Sequence, residues 1–258
     1  MHNILVLAKI SLLESIRGKK ILQVLLIVTL LVIAWVSTLN VFALGVQVKF
    51  IKDISLSAIS IFGMLITLAV SCGQIPGEVE SRTIYPLLAK PVQRYEIILG
   101  KFIGSLYIIF LNVLLMSAIF IGVLFFKEHY LDIAIIEAIY FIALELTALC
   151  ALCIGFSAFF STAANVTIVF FIYIIGHVKL VYVNYLLERM ANPVATAVLS
   201  FLKNPILPPN LENFNIKEAT IGGNLLGFAY LGPATLYGFL LILIYLTLGY
   251  LVFRKKNL

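Results

Sequence analysis

Charge is scarce in this chain. Asp, Glu, Lys and Arg together make up 12% of its 258 residues, hydrophobic residues make up 62%, and the mean hydropathy is +1.12. A water-soluble domain carries about a quarter charged and about half apolar residues, so this composition excludes one and indicates an integral membrane protein. Histidine and cysteine are sparse too, with three of each. His2, His129 and His177 stand far apart and match no ligand pattern such as H-E-x-x-H. Cys150 and Cys153 form a C-x-x-C pair inside an apolar run, and Cys72 makes the count odd. With no second pair and no neighbouring histidine, they read as small buried thiols, not as a metal site or a disulfide framework.

Catalytic signatures are missing as well. A phosphate-binding loop needs Gly-x-x-x-x-Gly-Lys-[Ser/Thr], and around Gly100-Lys101 the chain has Tyr95 in place of the first glycine and Phe102 in place of the hydroxyl. Gly155-Phe156-Ser157-Ala158-Phe159 lacks the closing glycine of a nucleophile elbow. No catalytic residue and no metal is assigned, and the chain is not expected to be an enzyme. The net charge of +6 comes without a basic groove interleaved with aromatics, which argues against nucleic acid. The basic residues gather at the ends of apolar runs, where they orient a membrane protein.

What is present is a series of apolar runs. The sequence predicts an all-α integral membrane protein with six transmembrane helices at 21–44, 54–73, 97–126, 131–160, 165–182 and 230–253, each near the ~20 residues that cross a hydrocarbon core. Residues 1–20 read as an interfacial helix, with Ile4, Leu5, Ala8, Leu12 and Ile16 on one side and Lys9, Glu14 and Arg17 on the other, while Val6 and Ile10 intrude on the polar face. No cleavable signal peptide is evident, so the first span is read as a signal anchor. A polar turn holding Lys49, Lys52 and Asp53 separates the first two spans, and Lys101 near the start of the third is placed to snorkel. Residues 183–227, with Pro193, Pro205, Pro208 and Pro209, read as an extracytoplasmic segment of short helices, some dipping back into the bilayer. With both termini in the cytoplasm, the inner segments hold Lys9, Arg17, Lys19, Lys20, Arg82, Lys90, Arg94, Lys101, Arg254, Lys255 and Lys256, a majority of the eighteen basic residues. The expected location is therefore a cell membrane, crossed several times.

The polar island at 74–104 stands out between these runs. Pro76 and Gly77 interrupt the apolar pattern, Glu78 and Glu80 fall in the first turn of a short helix, and Pro86 ends it at or before Tyr85. Paired acids, Arg82-Thr83-Ile84, Leu87-Leu88, Pro91-Val92-x-Arg94-x-Glu96-Ile97 and Leu99-Gly100-Lys101-Phe102-x-Gly104 resemble the first cytoplasmic loop of ABC-2 type permeases, the membrane subunits of ATP-binding-cassette exporters. The resemblance implies a coupling helix over 76–90 that docks on a separate ATPase. Glu78, Glu80, Arg82, Thr83 and Ile84 are then the contact residues. It also implies two copies of a cytoplasmic ABC ATPase carrying the ATP and Mg, with no cofactor in this chain, and a second permease subunit, most simply an identical chain. An additional extracytoplasmic subunit is compatible with it, and the substrate is left open.

Glu137 and Glu145 fall inside the fourth apolar run, where an ionisable group costs about 3 kcal/mol or more unless it faces protein or a water-filled cavity. They are expected to face the bundle interior. With Asn112 and Tyr140 they form the candidate translocation pathway, Asn112 or a hydroxyl being the expected partner of Glu145. Two other readings stay open: a proton-coupled secondary carrier using Glu137 and Glu145 as its relay, and a membrane scaffold of an ABC-like complex that moves no substrate.

Overall fold

The structure, a computed structural model, describes residues 6–11, 27, 31, 44–80, 93–128, 132–189, 206, 208–217, 220 and 225–255. Among them, helices form everything regular except one isolated bridge between Ile206 and Pro209. The helices are α1 (Leu44–Ser71), α2 (Pro76–Glu80), α3 (Arg94–Glu128), α4 (Ile133–Ser157), α5 (Thr162–Arg189) and α6 (Phe228–Lys255), with a 3-10 turn at Leu211–Phe214. Four apolar stretches within these residues are long enough to cross a membrane: 49–80, 94–126, 133–157 and 228–255. A shorter one lies at 162–178. Helices are the one open-chain solution at such hydropathy, because a slab without water leaves backbone N–H and C=O groups to bond within their own segment.

Side-chain bonds fix the up-and-down order of the bundle. At one end, Lys52 in α1 meets Asp132 Oδ2 at 3.5 Å, while Asp132 Oδ1 accepts from Ala134 N and caps α4. At the other end, Asn165 at the start of α5 donates to the carbonyls of Cys72 (3.0 Å) and Cys153 (2.9 Å), tying the exit of α1 to the exit of α4. α1, α4 and α6 therefore run one way, and α3 and α5 the other. α4 is the central post: 72% of its most apolar stretch is buried, against 28% for α6, which packs mainly on α4. The outward faces of α3 and α6 carry Phe110, Leu114, Leu115, Phe125, Leu236, Phe239, Leu243 and Leu251, all exposed. A bilayer would cover that surface.

Several expectations are refined. Residues 49–53 do not form a turn. α1 runs through them from Leu44, because the Asp132 carboxylate supplies Lys52 with a partner that lets a cation sit buried on a helix. α5 continues to Arg189, past the expected start of the extracytoplasmic segment. That segment does return into the bundle: Tyr230 Oη donates to Asn213 O, Tyr237 Oη accepts from Asn210 N, and Tyr245 Oη donates to Ile206 O. Tyr245 lies ~25 Å along α6 from Phe228 at ~1.5 Å per residue, so Ile206 lies deep beside α6, its carbonyl satisfied by a tyrosine hydroxyl. Residues 6–11 are helical with Leu7, Ala8 and Ser11 buried and Val6, Lys9 and Ile10 exposed, as the periodicity suggests. Of the span expected at 21–44 the structure describes only the exposed Ile27 and Leu31 and the start of α1 at Leu44, and residues 81–90 of the expected coupling helix lie outside the described residues.

Glycine permits the closest helix approach. A Cβ on Gly155 would stand 2.6 Å from Tyr245 O, and one on Gly249 would stand 2.8 Å from Gly155 Cα. Both obstacles are backbone and cannot swing away, whereas Gly122 in α3 faces open space. Gly155→Ala should lower the thermal midpoint of the detergent-purified protein, at a cost of about 1–3 kcal/mol for overpacking. Gly122→Ala should leave it unchanged or raise it, since alanine is the better helix former.

Candidate functional site: the α2 junction and the polar pairs of the bundle

α2 follows α1 across a four-residue turn. Pro76 occupies its first position, where a missing N–H costs nothing, and Gly77 N and Val79 N reach back to Gly73 O (3.0 Å) and Ile75 O (3.1 Å). Glu78 is buried, and its Oε1 accepts a hydrogen bond from Lys101 Nζ on α3. Lys101 does not snorkel. It is 1% exposed, because the carboxylate that balances it lies inside the protein. Glu80 is exposed, and Arg82, Thr83 and Ile84 lie outside the described residues.

The start of α3 is held on two sides. Glu96 Oε2 accepts from Gln93 N at 3.0 Å, a reciprocal cap on the helix start. Arg94 Nη1 donates to Phe253 O (2.7 Å) and Arg254 O (3.1 Å), with its guanidinium 5.9 Å from the centre of the Phe253 ring. The last carbonyls of α6, which have no partner within their own helix, are thereby satisfied by a cation where the helix dipole favours one. α2, α3 and the end of α6 form one bonded series: Glu78 to Lys101, then Arg94 to the α6 terminus. The N-terminal helix joins it at Gly104, where a Cβ would come within 2.8 Å of Ala8 O.

The second polar set sits near the middle of the bundle. Glu145 lies ~18 Å along α4 from Ile133 and is 2% exposed. Its Oε1 is 2.8 Å from Nε2 of His177 on α5, whose Nδ1 is 3.8 Å from Glu212 on the 3-10 turn. The His177 ring stacks edge-on with Tyr173, whose hydroxyl is 3.1 Å from Ser60 Oγ on α1. Lys217, within electrostatic reach of Glu145, Asp53 and Glu212, donates to Ser57 Oγ. Burial lowers its pKa from the usual 10.5, and those three carboxylates pull it back upward. In an alkaline titration this ammonium is thus neutralised earlier in the folded protein than in a free chain.

The expected site residues fall into separate places. Glu145 faces the interior, but Asn112 is not its partner: Asn112 donates to Ile108 O within its own helix. Glu137 is half-buried and accepts from Leu226 N at 3.2 Å. Tyr140 is exposed and donates to Thr235 Oγ1 at 3.3 Å. Glu137 and Glu145 thus have different partners on different neighbours. His177, which the spacing of the histidines set aside, is the group that meets Glu145. The one sequence signal for it is a lone ionisable ring in an apolar run, and such a group needs an interior partner. The three cysteines are buried and unbridged, with Ser71 Oγ 3.3 Å from Cys150 Sγ.

An all-helical apolar bundle with an acidic helix bonded beneath it has a family counterpart: the profile described as ABC-2 family transporter protein matches residues 5–258. The chain belongs to the ABC-2 transporter family. No curated protein matches it. As an ABC-2 family protein it is a multi-pass membrane permease component, and the family associates with an ABC ATPase.

Within this ABC-2 bundle the His177–Glu145 pair is the most deeply enclosed ionisable contact on α4. Replacing His177 by Phe strands a buried carboxylate, at an expected cost of about 3–5 kcal/mol. Combining it with Glu145→Leu should recover most of that loss. Denaturant unfolding of the three variants in detergent checks this, and equal losses in the single and double variants would show that the pair contributes nothing as a pair.

Proposed function

We propose that this ABC-2 protein is the transmembrane subunit of an ABC exporter. Six spans line the pathway, both termini are cytoplasmic, and the α2 end of the bundle faces a separate ATPase. Two permease chains pair in the bilayer and two ATPase subunits bind and hydrolyse ATP. The observation that carries this reading is the acidic helix α2, held beneath the bundle through Glu78 and Lys101 and presenting Glu80 outward. Exporter direction follows from the resemblance of 74–104 to the coupling region of that class.

In this mechanism α2 is the lever. Glu80, with Arg82, Thr83 and Ile84 beyond it, contacts the ATPase. Glu78, engaged with Lys101, passes displacement of α2 to α3, and Arg94 passes it to the end of α6. A buried ion pair suits this role, because pulling its partners apart exposes two charges to an apolar surrounding, at a cost of several kcal/mol. The series therefore moves as one piece. Glu137, Glu145, Asn112 and Tyr140 are proposed along the pathway, Glu145 acting through His177. A proton-coupled carrier would need Glu137 and Glu145 in one relay, and their separate partners favour the ATP-driven reading.

Charge reversal separates the two acidic roles. Glu80→Lys should cut co-purification of the ATPase subunit at least tenfold while leaving the permease folded. Glu78→Lys should lower permease stability, and Lys101→Glu in the same chain should restore it. Undiminished substrate-stimulated ATP turnover in a Glu78→Lys, Glu80→Lys double variant would contradict the coupling role of α2.

A further inference from the structure

Two apolar grooves flank the first half of α4. One, of about 650 Å³, lies between α4 and α6 and is lined by Ile133, Ile136, Glu137, Tyr140, Leu231 and Phe239 among others. The other, of about 700 Å³, lies between α3 and α4 and includes Phe110, Leu114, Ile136, Ile139 and Tyr140. Ile136 and Tyr140 line both, so the grooves run on either side of one α4 ridge. Each has the volume of a small-molecule site.

The walls are aliphatic and aromatic, with one carboxylate. Glu137 lies ~6 Å along α4 from Ile133, close to the Asp132–Lys52 pair that marks one end of the bundle. One of its oxygens accepts from Leu226 N, and among the described residues no cation is paired with it. A carboxylate on an apolar wall at this depth is stabilised by a cation brought to it. Tyr140 and Thr235 bond to each other, leaving Glu137 as the charged group of the groove.

We propose that these grooves bind one phospholipid with an ammonium headgroup, its two acyl chains lying on either side of the Ile136–Tyr140 ridge and its ammonium on Glu137. The two furrows accommodate two chains, the walls match acyl chemistry, and the carboxylate matches the head. A second copy of the chain is a poor occupant, since a two-fold contact centred here would bring two Glu137 carboxylates together. Bound lipid would fill the open flank between α4 and α6 and bring a bilayer component to the proposed pathway residues Glu137 and Tyr140. The site rests on that reading only through those residues, and its test does not involve the ATPase, so failure here leaves the coupling role of α2 untouched.

The test is native mass spectrometry of the full chain released from nanodiscs of equal parts phosphatidylethanolamine and phosphatidylglycerol. Wild type should retain phosphatidylethanolamine at least fivefold over phosphatidylglycerol. Glu137→Gln keeps an oxygen for Leu226 N and so the local fold, yet it should retain the two lipids equally. Leu231→Trp, which fills the α4–α6 groove, should retain less of both. Equal retention of the two lipids by wild type would overturn the proposal. So would an unchanged preference in Glu137→Gln, or efficient cross-linking of Leu236→Cys between copies in the nanodisc.

Discussion

Two charges withdrawn from water stabilise each other where α2 meets the bundle, in the Glu78–Lys101 pair. Lys101 lies on the apolar helix α3 and Glu78 on α2, and both side chains are buried. The geometry of the junction follows. α2 is held close to α3, α3 is held to the end of α6 by Arg94, and the N-terminal helix crosses at Gly104 because no side chain intervenes. A short helix that would be marginal in isolation is thus built into the frame, which is what a transmitting element requires.

The same condition recurs through the bundle. Three buried polar groups on α4 or at its ends have partners on another element: Asp132 with Lys52, Glu145 with His177, and Asn165 with two exit carbonyls. In an apolar slab, the hydrophobic effect supplies little discrimination among helix arrangements, since lipid tails are as apolar as leucine. Polar pairs and glycine contacts therefore set the register. Gly155 against Gly249 fixes how closely α4 and α6 approach, and the tyrosines of α6 hold Ile206, Asn210 and Asn213.

Much of this was legible in the sequence, because composition and run length respond to the solvent directly. The helices at 94–128, 133–157 and 228–255 lie within a few residues of the expected spans, and the interruption at Pro76 does start a new helix. The interior placement of Glu145 followed from the cost of a charge at that depth. What sequence spacing could not supply was long-range pairing. Lys49, Lys52 and Asp53 look like a turn until Asp132 is brought alongside. Lys101 looks like a snorkelling cation until Glu78 is. His177 looks isolated until α5 packs against α4. In each case a residue eighty, twenty-three or thirty-two positions away decides the outcome, and local periodicity carries no information at that range.

In the proposed mechanism α2, α3 and the end of α6 are one rigid series that the ATPase displaces against the rest of the bundle. Pulsed electron paramagnetic resonance on the assembled transporter measures this directly, with spin labels at Gly77 of α2, where an added side chain meets open space, and at the exposed positions Arg254 and Ser161. On ATP binding, the distance from position 77 to position 254 should stay fixed while both distances to position 161, at the entrance to α5, change together. A 77–254 distance that shifts as much as the others would contradict the coupling role of α2.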